Sequence, residues 1–160
     1  MITRRTWLGT VAIAALSPKL ARGDGALLAA MDESDVIYQT AIRSNGTESR
    51  CQAEVWFSHI GMTMYVVTAV DTWRARAVRQ GLTRSRIWIG DLGVWGNTDG
   101  RYKNLPMVDA VASIETDPIE QARALDAMGD KYPLQWVLWG PRFRKGLRDG
   151  SRVMLRYRPA

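Results

Sequence analysis

The chain has one cysteine and one histidine in 160 residues. The lone cysteine, Cys51, excludes an internal disulfide and a cysteine-rich zinc site. The lone histidine, His59, leaves no histidine cluster for a metal, and a Ser-His-Asp arrangement would have to be built on that one residue. No apolar run reaches the roughly 18–20 residues that a bilayer-spanning helix needs. The apolar stretch from Trp7 to Leu16 falls far short of it. Internal repeats and low-complexity segments are also missing. At 46% hydrophobic and 24% charged residues, the composition is that of a folded domain. It excludes wholesale disorder and collagen-like architecture. The length fits one ordinary domain with a short appendage, large enough to bury a core without staples.

Acidic residues are absent from residues 1–23, which hold Arg4, Arg5, Lys19 and Arg22. A basic head, a short apolar middle and a small-residue end at Ala21 and Gly23 are the parts of an export signal. Thr3-Arg4-Arg5-Thr6-Trp7-Leu8 resembles a bacterial twin-arginine signal, with Trp7 where that pattern usually has Phe. The resemblance implies a signal over 1–23, a domain over 24–160, a partner in the twin-arginine export machinery, and a periplasmic or secreted protein. That route carries folded passengers, often with a cofactor. An amphipathic or buried N-terminal helix is the other reading of the same residues. The formal charge of +6 invites a nucleic-acid or membrane-surface role. Removing the four basic residues of 1–23 leaves 18 basic against 16 acidic residues, a formal +2. The expectation is therefore no nucleic-acid partner and no stable membrane span.

Along the rest of the chain, residues 24–34 read as a helix and 35–43 as a strand. Asn45-Gly46 supplies the positive φ of a tight hairpin turn. Residues 51–57 read as a strand, 58–61 as a turn, 62–69 as a strand and about 72–80 as a helix ended by Gly81. A strand at 84–90 precedes a Gly- and Asn-rich excursion over 91–106, which contains Trp95 and Tyr102. A strand at 107–115 leads into a helix opened by Asp117-Pro118 and stopped by Gly129, with Glu120 reaching back to the cap. Residues 133–146 are mixed, and Arg152 to Arg158 closes the chain as a strand. Short connections make the early strands an antiparallel meander, and closure into a small barrel would remove exposed edges.

Three stretches carry a resemblance. The first is Ile37-Tyr38-Gln39-Thr40-Ala41-Ile42-Arg43 with Asn45-Gly46. The second is Glu54-Val55-Trp56-Phe57 with Met64-Tyr65-Val66-Val67-Thr68-Ala69. The third is Thr72-Trp73-Arg74-Ala75-Arg76. In order and spacing they resemble the pyridoxamine 5'-phosphate oxidase-like FMN-binding split-barrel family, including its flavin/deazaflavin-dependent reductase branch. Ala112-Ser113-Ile114-Glu115-Thr116-Asp117-Pro118, Lys131-Tyr132-Pro133 and the closing Asp149 to Pro159 extend the likeness over roughly 25–159. The family usually has Lys where Arg74 stands. The resemblance implies a mainly β (α+β) fold, a six-stranded antiparallel split β-barrel with two or three flanking helices. It further implies FMN, or the deazaflavin coenzyme, and an oxidoreductase that passes hydride to or from a small-molecule substrate. It implies a homodimer with the cofactor at the subunit interface and Trp136 or Trp139 reaching toward the partner's site.

The residues agree with that expectation. The strand over 62–69 delivers Thr68 and Ala69 just before a helix start at Thr72, where free N–H groups favour an anion. Arg74 and Arg76, beside Trp73, add guanidinium donors for a phosphate. Val55, Trp56 and Phe57 would lie along a flavin ring. Other roles compete: a solvated helix face for the arginines, and core or interface packing for Trp56 and Trp73. No residue here has to act as acid or base, because in such enzymes the cofactor supplies the chemistry. No catalytic residue and no metal ligand is assigned. The alternative is a non-enzymatic split barrel that binds flavin, haem or a small ligand, with His59 the one histidine available to haem, or a cofactor-free interaction module. Cys51 reads as a small buried hydrophobe. Glu115, Asp117 and Glu120 read as a helix cap, and Arg142, Arg144, Lys145 and Arg148 as a solvated surface.

Overall fold

The computed structural model describes residues 22–160, so all but the last two residues of the expected signal lie outside the described residues. Seven strands are present: β1 (Val36–Ile42), β2 (Glu48–Trp56), β3 (Ser58–Ile60), β4 (Thr63–Ala69), β5 (Arg84–Ile89), β6 (Met107–Glu115) and β7 (Arg152–Pro159). Four α-helices accompany them: α1 (Arg22–Glu33), α2 (Trp73–Arg79), α3 (Pro118–Lys131) and α4 (Pro133–Asp149). The strands form one sheet in the order β2-β1-β5-β6-β7-β4-β3, antiparallel throughout. This is a mainly antiparallel sheet with flanking helices, consistent with a split barrel.

Three expectations need correction. The sheet has seven strands rather than six, because the turn expected at 58–61 is the short strand β3, paired from Ser58 with Tyr65 to Ile60 with Thr63. Only Gly61, at φ +56°, and Met62 remain for the turn. The meander does not run from β2 into β4: β4 pairs with β7, β2 stays at the sheet edge, and the sheet is not closed. The chain leaves β2 at Phe57, whose backbone N–H is taken by the Tyr132 hydroxyl at 3.1 Å instead of a neighbouring strand. Lastly, there are four helices. The mixed segment at 133–146 belongs to α4, and α3 runs past Gly129 to Lys131.

Glycine placement explains that last miss. A Cβ at Gly129 would lie 2.7 Å from Trp136 Nε1, and one at Gly140 would lie 2.9 Å from the same ring. Both glycines make the slot that holds the indole between α3 and α4; they are not helix stops.

Alternation along the strands builds two cores. Met64 and Val66 of β4 join Ile37, Phe57, Ile87, Leu155 and Tyr157 inside the sheet, capped by Met31 of α1. Tyr65 and Val67 of the same strand face outward and bury against Ala124, Leu125, Met128 and Phe143 of the α3–α4 pair. With every side chain from Met64 to Thr68 buried, β4 is apolar on both faces. The excursion over 91–106 is a fixed cover. Its Tyr102 packs on Tyr38 and Trp88 in a third cluster. Tyr38 Oη donates to Gly93 O at 2.7 Å and accepts from Leu92 N at 2.8 Å.

Candidate functional site

Where β2 and β4 approach without pairing, a cleft of about 330 Å³ opens. Val55 and Trp56 of β2, Val66 and Val67 of β4, Arg74 of α2, Trp139 and Phe143 of α4, and Arg152 of β7 line it. That volume sits at the lower end of the roughly 300–1,000 Å³ typical of small-molecule sites. Flat side chains dominate the walls. Trp56 stacks on Tyr132 at a centroid distance of 5.1 Å and meets Trp139 edge-on at 6.2 Å.

The position of Arg74 follows from local sequence. Thr72 caps α2, its hydroxyl accepting from Ala75 N at 3.5 Å and donating to Ala69 O at 3.0 Å. Two residues on, Arg74 turns back along β4, and its Nη1 donates to Thr68 Oγ1 at 2.8 Å. Its guanidinium carbon lies 5.3 Å from the centroid of the Trp73 ring. Arg74 Nε is buried with no hydrogen-bond partner among the described residues. Burial pulls the Arg74 pKa below its ordinary value. Glu54 is close enough to oppose this, but its Oε2 is engaged by Trp95 N at 2.9 Å. The buried Tyr157 hydroxyl also lacks a partner. Its own pKa is raised by burial, against the pull of the Arg74 charge. A guanidinium that meets no carboxylate, beside aromatic walls, is what a phosphate-bearing planar ring would use, so these residues fit a flavin.

Of the nine residues singled out from sequence, the structure brings Val55, Trp56 and Arg74 together in the cleft. Trp73 and Arg76 face a different groove, with Ile42, Arg43, Cys51 and Gln80. Residues two apart on a helix point to nearly opposite sides, so Arg74 and Arg76 do not share a ligand group. Phe57 is fully buried in the inner core, with Lys131 Nζ over its ring at 3.6 Å. Thr68 is buried with its hydroxyl committed to Arg74 and Thr72, and Ala69 is the last residue of β4. Sequence reasoning missed Phe143 and Arg152, and named Trp139 for a partner's site rather than for the cleft of its own chain. The apolar spacing Trp136, Trp139, Phe143, Leu147 was the signal for Phe143, and Gly140, Pro141 and Gly146 obscured it.

His59 is outside the cleft, and both ring nitrogens are engaged, Nδ1 with Gly61 O at 3.0 Å and Nε2 with Asp32 Oδ1 at 3.1 Å. Cys51 is exposed rather than buried, because it sits on the open edge strand β2. Asp117 caps α3 through Ile119 N at 2.9 Å. Glu120 instead pairs with Arg123, and Glu115 binds Asp117 N and Arg156. Trp136 and Trp139 pack within their own chain. Lys131 Nζ donates to Met31 O at 2.6 Å. Burial lowers its pKa from 10.5 to about 8.

No protein-family model and no curated protein matches the chain by sequence. Solved structures do match. The haem storage protein HutZ of Vibrio cholerae superposes with a TM-score of 0.58 at 15% identity, over 88% of this chain and 92% of that one. An FAD-binding protein of Mesorhizobium loti gives 0.53 at 12% identity, over 83% and 86%. A protein of the pyridoxinephosphate oxidase family from Clostridium acetobutylicum, related to general stress protein 26 of Bacillus subtilis, gives 0.51 at 14% identity, over 84% and 81%. The structural neighbours are pyridoxamine 5'-phosphate oxidase-like split-barrel proteins, and at these identities the likeness establishes the fold.

Proposed function

We propose that the protein is an exported flavoprotein that holds FMN in the cleft between β2 and β4 and acts as an oxidoreductase on a small molecule. The observation that carries this reading is Arg74, a cation that no carboxylate pairs, lining a cleft with aromatic walls. Bound there, the cofactor would supply hydride transfer. The chain's own part is to bind the phosphate through Arg74, keep the ring against Val55 and Trp56, and exclude water with Trp139 and Phe143. The deazaflavin coenzyme is the alternative occupant, since Arg74 replaces the Lys usual in the family. The flavin description of the Mesorhizobium neighbour supports the reading.

The haem description of HutZ favours a second, non-enzymatic reading. His59 offers it little, with both nitrogens engaged outside the cleft. A homodimer belongs to the same proposal. Leu134, Val137 and Leu138 form an apolar stripe on α4, 85%, 81% and 54% exposed, which supports a subunit contact there.

An absorption spectrum from 300 to 700 nm, taken on protein purified from its native compartment, tests the function. A flavin or deazaflavin band near one per chain is expected. A haem Soret band, or a colourless protein that binds no added FMN, would overturn the flavin reading. For export, Arg4→Lys with Arg5→Lys is expected to leave the protein in the cytoplasm. Unchanged export would remove the twin-arginine route.

A further inference from the structure

Arg74 is not the only unpaired cation in the cleft. Arg152 opens β7, in register with Ala69 of β4. Its stem lies in a notch at Gly146, where a Cβ would meet Arg152 Cγ and Cδ at 2.7 Å. The notch holds the side chain against α4, with its guanidinium carbon 5.2 Å from the Phe143 ring centroid. Arg86, Arg123, Arg144 and Arg156 all meet carboxylates. Among the described residues Arg74 and Arg152 meet none, and no acidic residue lines the cleft. Two guanidinium groups with no carboxylate in contact, in one cleft without an acidic lining residue, favour contents that bring two anionic groups.

The two arginines belong to different walls. Arg74 is tied to β4 and α2 through Thr68 and Trp73. Arg152 is tied to α4 through Gly146 and Phe143. We infer that Arg152 is a specificity residue that takes the carboxylate of a small planar acid, the substrate class of this site, while the cofactor phosphate goes to Arg74. A guanidinium fork matches a carboxylate in two parallel hydrogen bonds. Trp139 and Phe143 supply flat apolar surface for the rest of the acid, leaving Val55 and Trp56 to the flavin ring. The inference rests on the flavin reading for the role of that acid, and on the cleft alone for its binding.

The test is a tryptophan-fluorescence titration with benzoate and its uncharged match benzamide, on the full chain both flavin-free and after addition of FMN. Benzoate is expected to bind at least about tenfold tighter than benzamide in both states, as a charge-assisted pair requires. Arg152→Gln should weaken benzoate by about tenfold or more and leave FMN affinity within about twofold. Gly146→Ala keeps the charge but fills the notch, and should weaken benzoate in the same direction. Circular-dichroism melts establish that both variants are folded, and Arg152→Lys, expected to be intermediate, replaces Arg152→Gln if that variant does not fold. Equal binding of benzoate and benzamide, absence of benzoate binding, or an Arg152→Gln variant that loses FMN instead of benzoate would overturn the inference. Failure of the wild type to bind FMN would sink the flavin reading alone, because the flavin-free titration still decides the role of Arg152.

Discussion

The Tyr132 hydroxyl fastens the corner of the sheet at Phe57. It accepts from Phe57 N at 3.1 Å, and its single proton is shared between Phe57 O at 2.8 Å and Asp35 O at 2.7 Å. This one side chain, at the junction of α3 and α4, sets where the chain leaves β2 and so where the cleft opens. Trp56, one residue before the corner, stacks on the same ring. Tyr132→Phe leaves three backbone groups, the two of Phe57 buried, to find other partners. The expected loss is about 1–3 kcal/mol, a drop in Tm of roughly 2–10 °C by thermal melt. An unchanged Tm would mean the corner is held by packing alone.

Gly129 makes a second prediction. Alanine is the better helix former by about 1 kcal/mol, and on sequence grounds Gly129→Ala should stabilise α3. In the structure the new Cβ meets the rigid Trp136 indole 2.7 Å away. Overpacking of this kind costs about 1–3 kcal/mol. Urea denaturation is expected to show a net loss, and a gain would remove the slot between α3 and α4.

How much of this was legible beforehand depends on the element. The strand runs were readable because β formers and the Asn45-Gly46 turn are local signals, and β1, β4, β5 and β6 fall within a residue or so of expectation. Pairing was not readable. Nothing in 51–69 announces that β4 will join β7, a strand at the far end of the chain. In α4, three small or breaking residues, Gly140, Pro141 and Gly146, outvoted a sound apolar period. Arg74 was legible from its place after β4, whereas Arg152 depended on a helix that had not been recognised. Arg76 was assigned by proximity in sequence, and helical geometry sends it to the other groove.

Lys131 gives the protein a pH signature. Burial lowers its folded pKa to about 8, below the ordinary 10.5. The unfolded chain therefore binds the proton more tightly, and its excess bound proton appears as pH rises above 8. Stability should rise with pH between about 8 and 9.5 relative to Lys131→Met. Below pH 8 the two should run parallel. Thermal melts across that range decide it, and a wild type that loses stability against the variant over the window would contradict the assignment. Above pH 10 the buried tyrosines, whose pKa values are raised, act in the opposite sense.

Of the three arginines on α2, Arg74, Arg76 and Arg79, Arg74 alone lines the cleft, and the proposed cofactor is expected to lie against it. The most direct test is FMN titration of the wild type, Arg74→Ala and Arg76→Ala, followed by flavin fluorescence. Loss of a charge-assisted contact worth about 1.5–3 kcal/mol should weaken Arg74→Ala at least about tenfold. Arg76→Ala should stay within about twofold of the wild type. Equal affinity of wild type and Arg74→Ala, or a larger loss in Arg76→Ala, would place the phosphate elsewhere and contradict the account.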